Sequence, residues 1–112
     1  MTEDELLQGV TDALSAGGWY WHHVRRADRA VTMGTPGFPD VLAVHPDRRL
    51  LIAIECKAEG GRFRPGQWDW IRAFAQVGER VDGRVVTPES YDDLIYELIG
   101  DRLAQLRGRG TI

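Results

Sequence analysis

Lysine is almost missing from this chain. Of 14 basic residues, Lys57 alone is lysine and the rest are arginine. A coding bias toward arginine accounts for most of that skew, and it makes the one retained lysine the first position to inspect. Cysteine is as scarce. The single Cys56 excludes an internal disulfide and fits a reducing, cytoplasmic setting. Paired Cys/His spacings of the structural-zinc kind are missing too. No apolar run approaches the roughly 20 residues of a membrane-spanning helix, so no membrane partner is expected. The acidic start Met1-Thr2-Glu3-Asp4-Glu5 is unlike a signal or transit peptide. The net charge of −3 offers no overall basicity. A nucleic-acid partner would have to be met by local patches or by bound metal.

What is present suits one modest domain. The chain has 112 residues, 43% of them hydrophobic, with no internal repeat and no low-complexity stretch. Thr2 and Glu5 form a capping-box pattern, and Leu6, Leu7, Val10, Ala13 and Leu14 follow at helical spacing until Gly17-Gly18. Trp19 to Val24 reads as a strand and residues 25 to 39 as a loop. Val41 to His45 and Leu50 to Ile54 flank Pro46-Asp47-Arg48-Arg49, which predicts a hairpin. Both strands are apolar on both faces, so the pair is expected mid-sheet between helical layers. Pro65 suits the first turn of a helix running to about Val77. Val81 to Val86 reads as a strand, and Pro88 opens a last helix. A single domain over residues 1–106 is expected, with residues 107–112 a frayed tail. The predicted order is α-β-β-β-α-β-α, a mixed central sheet flanked by helices.

The charges around the hairpin carry the chemistry. Asp40 stands just before its first strand and Glu55 just after the apolar run of its second. A turn centred between Asp47 and Arg48 puts these two opposite each other, side chains on one face, β-carbons about 4.5–5.5 Å apart. Two carboxylates that close repel unless one is protonated or a cation bridges them. Magnesium suits such oxygen ligands, at about 2.0–2.1 Å and with water and phosphate completing the shell. Lys57 follows Glu55 by two residues and projects from the same face. Two carboxylates and an ammonium are the equipment of metal-assisted phosphodiester hydrolysis. On spacing alone the commoner explanation is a turn aspartate and an exposed Glu-X-Lys pair. The apolar flanking strands, the register and the stiff loop Gly34-Thr35-Pro36-Gly37-Phe38-Pro39 favour the site.

Pro36-Gly37-Phe38-Pro39-Asp40, then Glu55-Cys56-Lys57, then Gln67 near a helix start resemble the PD-(D/E)XK nuclease superfamily. Within it they resemble the VRR-NUC family. The resemblance spans about Glu3 to Val86. It implies a restriction-endonuclease-like α/β fold, Mg²⁺ or Mn²⁺, and cleavage of DNA, often branched or otherwise structured, in replication, recombination or repair. Carried over, Asp40, Glu55 and the backbone carbonyl of Cys56 are metal ligands and Lys57 is the catalytic lysine. Gln67 matches a helix glutamine that faces the active site. Arg64 departs from the small residue usual before that helix. A glutamate on the first helix is also implied. Glu3 matches it by distance from Gly18, with Glu5 the neighbouring alternative that the helix cap also explains.

Other signals are weaker. Trp19, Trp21 and His23 alternate and most simply pack in the core or at a dimer surface. A substrate contact at His23 is the other reading, and the resemblance allows it. Arg25, Arg26 and Arg29 form one basic cluster, and Arg62 and Arg64 another after Lys57. Flanking one face, they fit DNA phosphates. Trp68 and Trp70 fall on different helix faces, one for the core and one for a groove or interface. So small a domain covers little duplex, which makes a homodimer the expectation for branched DNA. The competing class is a non-catalytic DNA-binding or assembly module on the same fold. A small-molecule hydrolase finds no nucleophile elbow or phosphate-cradling glycine loop to support it.

Overall fold

The computed structural model describes residues 1–23 and 33–110, with side chains through residue 100. Arg25, Arg26 and Arg29 therefore lie outside the described residues, as does the expected strand end at Val24. The element order is α1 (Glu3–Ala16), β1 (Tyr20–His23), β2 (Val41–His45), β3 (Leu50–Cys56), α2 (Gln67–Val77), β4 (Val81–Val86) and α3 (Tyr91–Gly110). It is the expected α-β-β-β-α-β-α order.

α1 starts where the capping box predicts. The Thr2 side chain accepts from the Glu5 N–H, and the Glu5 carboxylate accepts from the Thr2 N–H. Its apolar stripe, Leu6, Val10, Ala13 and Leu14, is buried. The sheet has four strands in the order β1-β2-β3-β4, antiparallel except for the parallel pair β3–β4. The hairpin register follows the symmetric turn, with Val41 opposite Ile54 and His45 opposite Leu50. Arg49, in the left-handed region, closes that turn by donating its N–H to the Pro46 carbonyl. β3 runs two residues past Ile54 because β4 supplies a parallel partner there, Val86 beside Cys56.

One sheet face carries Val41, Ala43, Ile52, Ile54, Cys56 and Val86 onto Leu6, Val10 and Leu14 of α1 and Leu94 and Leu98 of α3. Each large aliphatic side chain buried there contributes roughly 1.5–3 kcal/mol relative to an exposed one. Trp19 belongs to this core, just before β1, with its indole N–H on the Leu98 carbonyl at 2.9 Å. α2 covers the opposite face over β3 and β4. It lies so close that a β-carbon at Gly83 would meet the Ile71 carbonyl oxygen at 2.2 Å.

Three expectations change. β3 is covered on both faces but β2 is not. Leu42 is half-buried and Val44 and Tyr20 are exposed, because α2 stops short of that half of the sheet. Pro65 precedes α2 rather than sitting in its first turn, since Gly66 in a left-handed conformation starts the helix. Pro88 likewise precedes α3, whose helical backbone continues to Gly110, into the expected tail.

Candidate active site

The end of the hairpin opposite its turn gathers the chemistry. Asp40 occupies a bend immediately before β2, one step beyond the last ladder pair. Two hydrogen bonds hold it. Its Oδ2 accepts the Cys56 backbone N–H at 2.8 Å. Its own carbonyl oxygen lies 2.6 Å from Nδ1 of His23, at the end of β1. A carbonyl only accepts, so that ring nitrogen carries the proton. His23 thus fixes the Asp40 bend, a position that gives it a structural task apart from any substrate contact.

Glu55 lies within β3 and is 2% exposed. Its Oε1 accepts from Nε2 of Gln67 at 2.9 Å and stands 3.8 Å from the Lys57 ammonium. Its Oε2 is buried and has no hydrogen-bond partner among the described residues. A buried, half-satisfied carboxylate resists ionisation. Burial, and then the adjacent Asp40 carboxylate, push the Glu55 carboxyl up to about 8, against a smaller opposing pull from Lys57. The same two causes raise the Cys56 thiol. That side chain points into the core and is inert; only its backbone belongs to the site.

Lys57 is 6% exposed. Its Nζ donates to the Arg62 carbonyl at 3.1 Å and lies between Oε1 of Glu55 and Oε1 of Glu3, the latter 4.0 Å away. The first residue of α1 thereby reaches the site. Glu5 is instead engaged in the helix cap. The lysine ammonium also sits over the Phe63 ring, 5.2 Å from its centroid.

Gln67 is as buried as Glu55 and orients it from the start of α2. Its Oε1 accepts the Arg64 N–H at 2.7 Å, so both ends of the amide are fixed. Arg64 contributes here through its backbone, as Arg62 does for Lys57, while both side chains are exposed. The sequence alone did not single out the crossing that places Gln67. Gly37, φ +96°, passes over Gly66, φ +87°, with no room for a β-carbon on either. The contact ties the loop leading into Asp40 to the residue before Gln67. A pair of glycines, one three residues before Asp40 and one next to Gln67, was the available signal. Trp70 supports the same loop by donating to the Thr35 carbonyl and packing edge-on to Phe38.

The donor set is all oxygen and fits a hard divalent cation: the carboxylates of Asp40 and Glu55 with the intervening backbone. Oε2 of Glu55, with no hydrogen-bond partner among the described residues, is an oxygen such a cation could take. Among the described residues no three His, Cys, Asp or Glu side chains converge as a full ligand cage. The remaining positions would fall to water or phosphate oxygens, a common arrangement for Mg²⁺.

Sequence comparison finds no matching protein-family model and no matching curated protein. Fold comparison does find a likeness. A solved structure described as a VRR_NUC domain superposes with a TM-score of 0.58 over 85% of this chain and 96% of its own. The two are 23% identical. The chain therefore has the fold of a VRR_NUC domain, a mixed four-stranded sheet between helices.

Proposed function

We propose that this protein is a VRR-NUC nuclease that hydrolyses phosphodiester bonds in DNA with Mg²⁺ or Mn²⁺. One observation carries the reading: a buried carboxylate with an unpartnered oxygen, Glu55, set beside a second carboxylate and a buried lysine. A non-catalytic module on this fold gains nothing from burying two acids and an amine at close range, an arrangement that costs stability unless a cation joins it.

Asp40, Glu55 and the Cys56 carbonyl are the groups that would hold the cation. When bound, it supplies Lewis-acid polarisation of the scissile phosphate. Lys57 neutralises charge that builds on the phosphate oxygens, and as an amine it can exchange a proton with attacking water, which arginine cannot. Gln67 keeps Glu55 in place through Oε1 and leaves Oε2 available. His23 holds the Asp40 bend. Arg62 and Arg64, exposed on the loop after Lys57, meet backbone phosphates. Branched or flap DNA is the favoured substrate, engaged by two copies of this small domain.

The test is cleavage of labelled single-stranded, duplex, flap and four-way-junction DNA in Mg²⁺, Mn²⁺ or EDTA. Wild type should cut at least one structured substrate with divalent metal only. Lys57→Ala and Asp40→Ala should abolish cutting while remaining folded. Full activity in clean preparations of either variant would sink the site assignment.

A further inference from the structure

Beyond the site stands an aromatic pair that the hydrolytic chemistry does not use. Phe63, in the loop after Lys57, stacks on Trp68, at the second position of α2, with centroids 4.5 Å apart and planes 25° from parallel. Trp68 is 44% exposed. Core packing does not account for it: the buried side chains of α2 are Gln67 and Ile71. The stack begins at the site itself, because the Lys57 ammonium lies over Phe63. It ends at Arg72, whose guanidinium is 5.8 Å from the Trp68 ring. Arg62 and Arg64 bracket Phe63 in the chain, and both are exposed.

An exposed tryptophan set among arginines, whose only cover besides Phe63 among these contacts is the exposed Arg72 side chain that an incoming base displaces, has the two properties that unpaired nucleotides select. Bases stack on aromatic faces whatever their sequence, and guanidinium groups meet the phosphates between them. Paired bases already stacked in a duplex do not present those faces. We propose that Phe63 and Trp68 form a stacking platform for an unpaired base next to the scissile phosphate. The proposal rests on the nuclease reading and gives it a physical basis for preferring flaps and forks. One ring-to-ring step of 4.5 Å and one ring-to-ammonium step of 5.2 Å separate Trp68 from the Lys57 ammonium, a distance that about one or two nucleotides span.

The test compares binding of a blunt duplex and the same duplex with a short single-stranded extension, by fluorescence anisotropy in Ca²⁺ to slow turnover. A 2-aminopurine in the extension reports stacking. Wild type should bind the extended DNA about tenfold more tightly and quench the 2-aminopurine, given typical base–aromatic stacking energies. Trp68→Ala should lose that gain and the quench while binding the blunt duplex as wild type does. Trp68→Phe, which keeps an aromatic face, should retain most of both. An unchanged preference in Trp68→Ala, or an equal loss on both DNAs, would overturn the platform. Metal-dependent cleavage by the wild type would leave the nuclease reading standing in that case. A protein that bound and cut none of these DNAs would overturn both.

Discussion

Gln67 grips one oxygen of Glu55 and leaves the other bare. Nε2 donates to Oε1 at 2.9 Å, while Oε2, also buried, has no hydrogen-bond partner among the described residues. The amide is itself anchored by the Arg64 N–H, so it acts as a fixed strut and not as a second ligand. Removing a group that orients a metal ligand typically costs about 10–100-fold in metal affinity or activity. Gln67→Leu should therefore shift the Mg²⁺ dependence of cleavage to higher concentration by a factor in that range. Saturating Mg²⁺ should recover much of the rate. A rate loss with no shift in Mg²⁺ dependence would mean Gln67 serves the reaction in another way.

The raised Glu55 carboxyl makes metal-free stability depend on pH, with a definite sign. Below pH 4.5, its ordinary value, the group is protonated folded or unfolded and contributes no pH dependence. Between there and about 8 the folded state keeps a proton that the unfolded state has released, so stability falls as pH rises. Glu55→Gln removes that liability. Without metal, its melting temperature at pH 8 should exceed wild type's by at least about 5 °C, and the difference should shrink toward pH 4. Divalent-cation binding should release protons near pH 7, seen by calorimetry in buffers of different ionisation enthalpy. A constant melting difference across pH would contradict a proton on Glu55.

Local patterns made part of this legible. Two short apolar runs, Val41 to His45 and Leu50 to Ile54, with a turn centred between Asp47 and Arg48, were enough to place Asp40 and Glu55 at the same end of the hairpin. The capping box located α1. What was not legible depends on contacts between distant segments. Nothing local to Lys57 foretells that the Arg62 carbonyl and Glu3 will hold its ammonium. Apolar residues on both faces of β2 suggested full cover, but cover is set by where α2 lies, and it lies on β3 and β4. Gly37 reads locally as part of a stiff loop and Gly66 carries no local signal; their role comes from crossing one another.

That crossing predicts two unequal glycine substitutions. At Gly66 the backbone has φ +87° and a new β-carbon would fall 2.2 Å from the Pro36 carbonyl oxygen. At Gly60, φ +74°, no described residue beyond its chain neighbours comes within 4 Å of a new β-carbon. Gly60→Ala bears only the left-handed backbone cost, about 1–2 kcal/mol. Gly66→Ala adds a backbone clash, so its denaturation midpoint should fall further, and it should lose activity even where it stays folded, because the Asp40 loop and Gln67 move apart. Equal effects at the two positions in urea denaturation would show that the crossing is slack.

Lys57 is where composition and geometry meet. Arginine stands at every other basic position, so the chain readily accommodates guanidinium groups, yet the contacts around Nζ here suit a compact ammonium. Nζ is 6% exposed as a residue and is hemmed by the Arg62 carbonyl, Glu55, Glu3 and the Phe63 ring. A guanidinium there would keep the charge. It would also be too large for these contacts and unable to exchange a proton near neutral pH. Lys57→Arg should bind DNA within about threefold of wild type, since total charge governs that term. Its single-turnover cleavage should drop by at least about 100-fold, the scale of a lost general acid–base group. Near-wild-type cleavage by Lys57→Arg would reduce the lone lysine to a relic of coding bias.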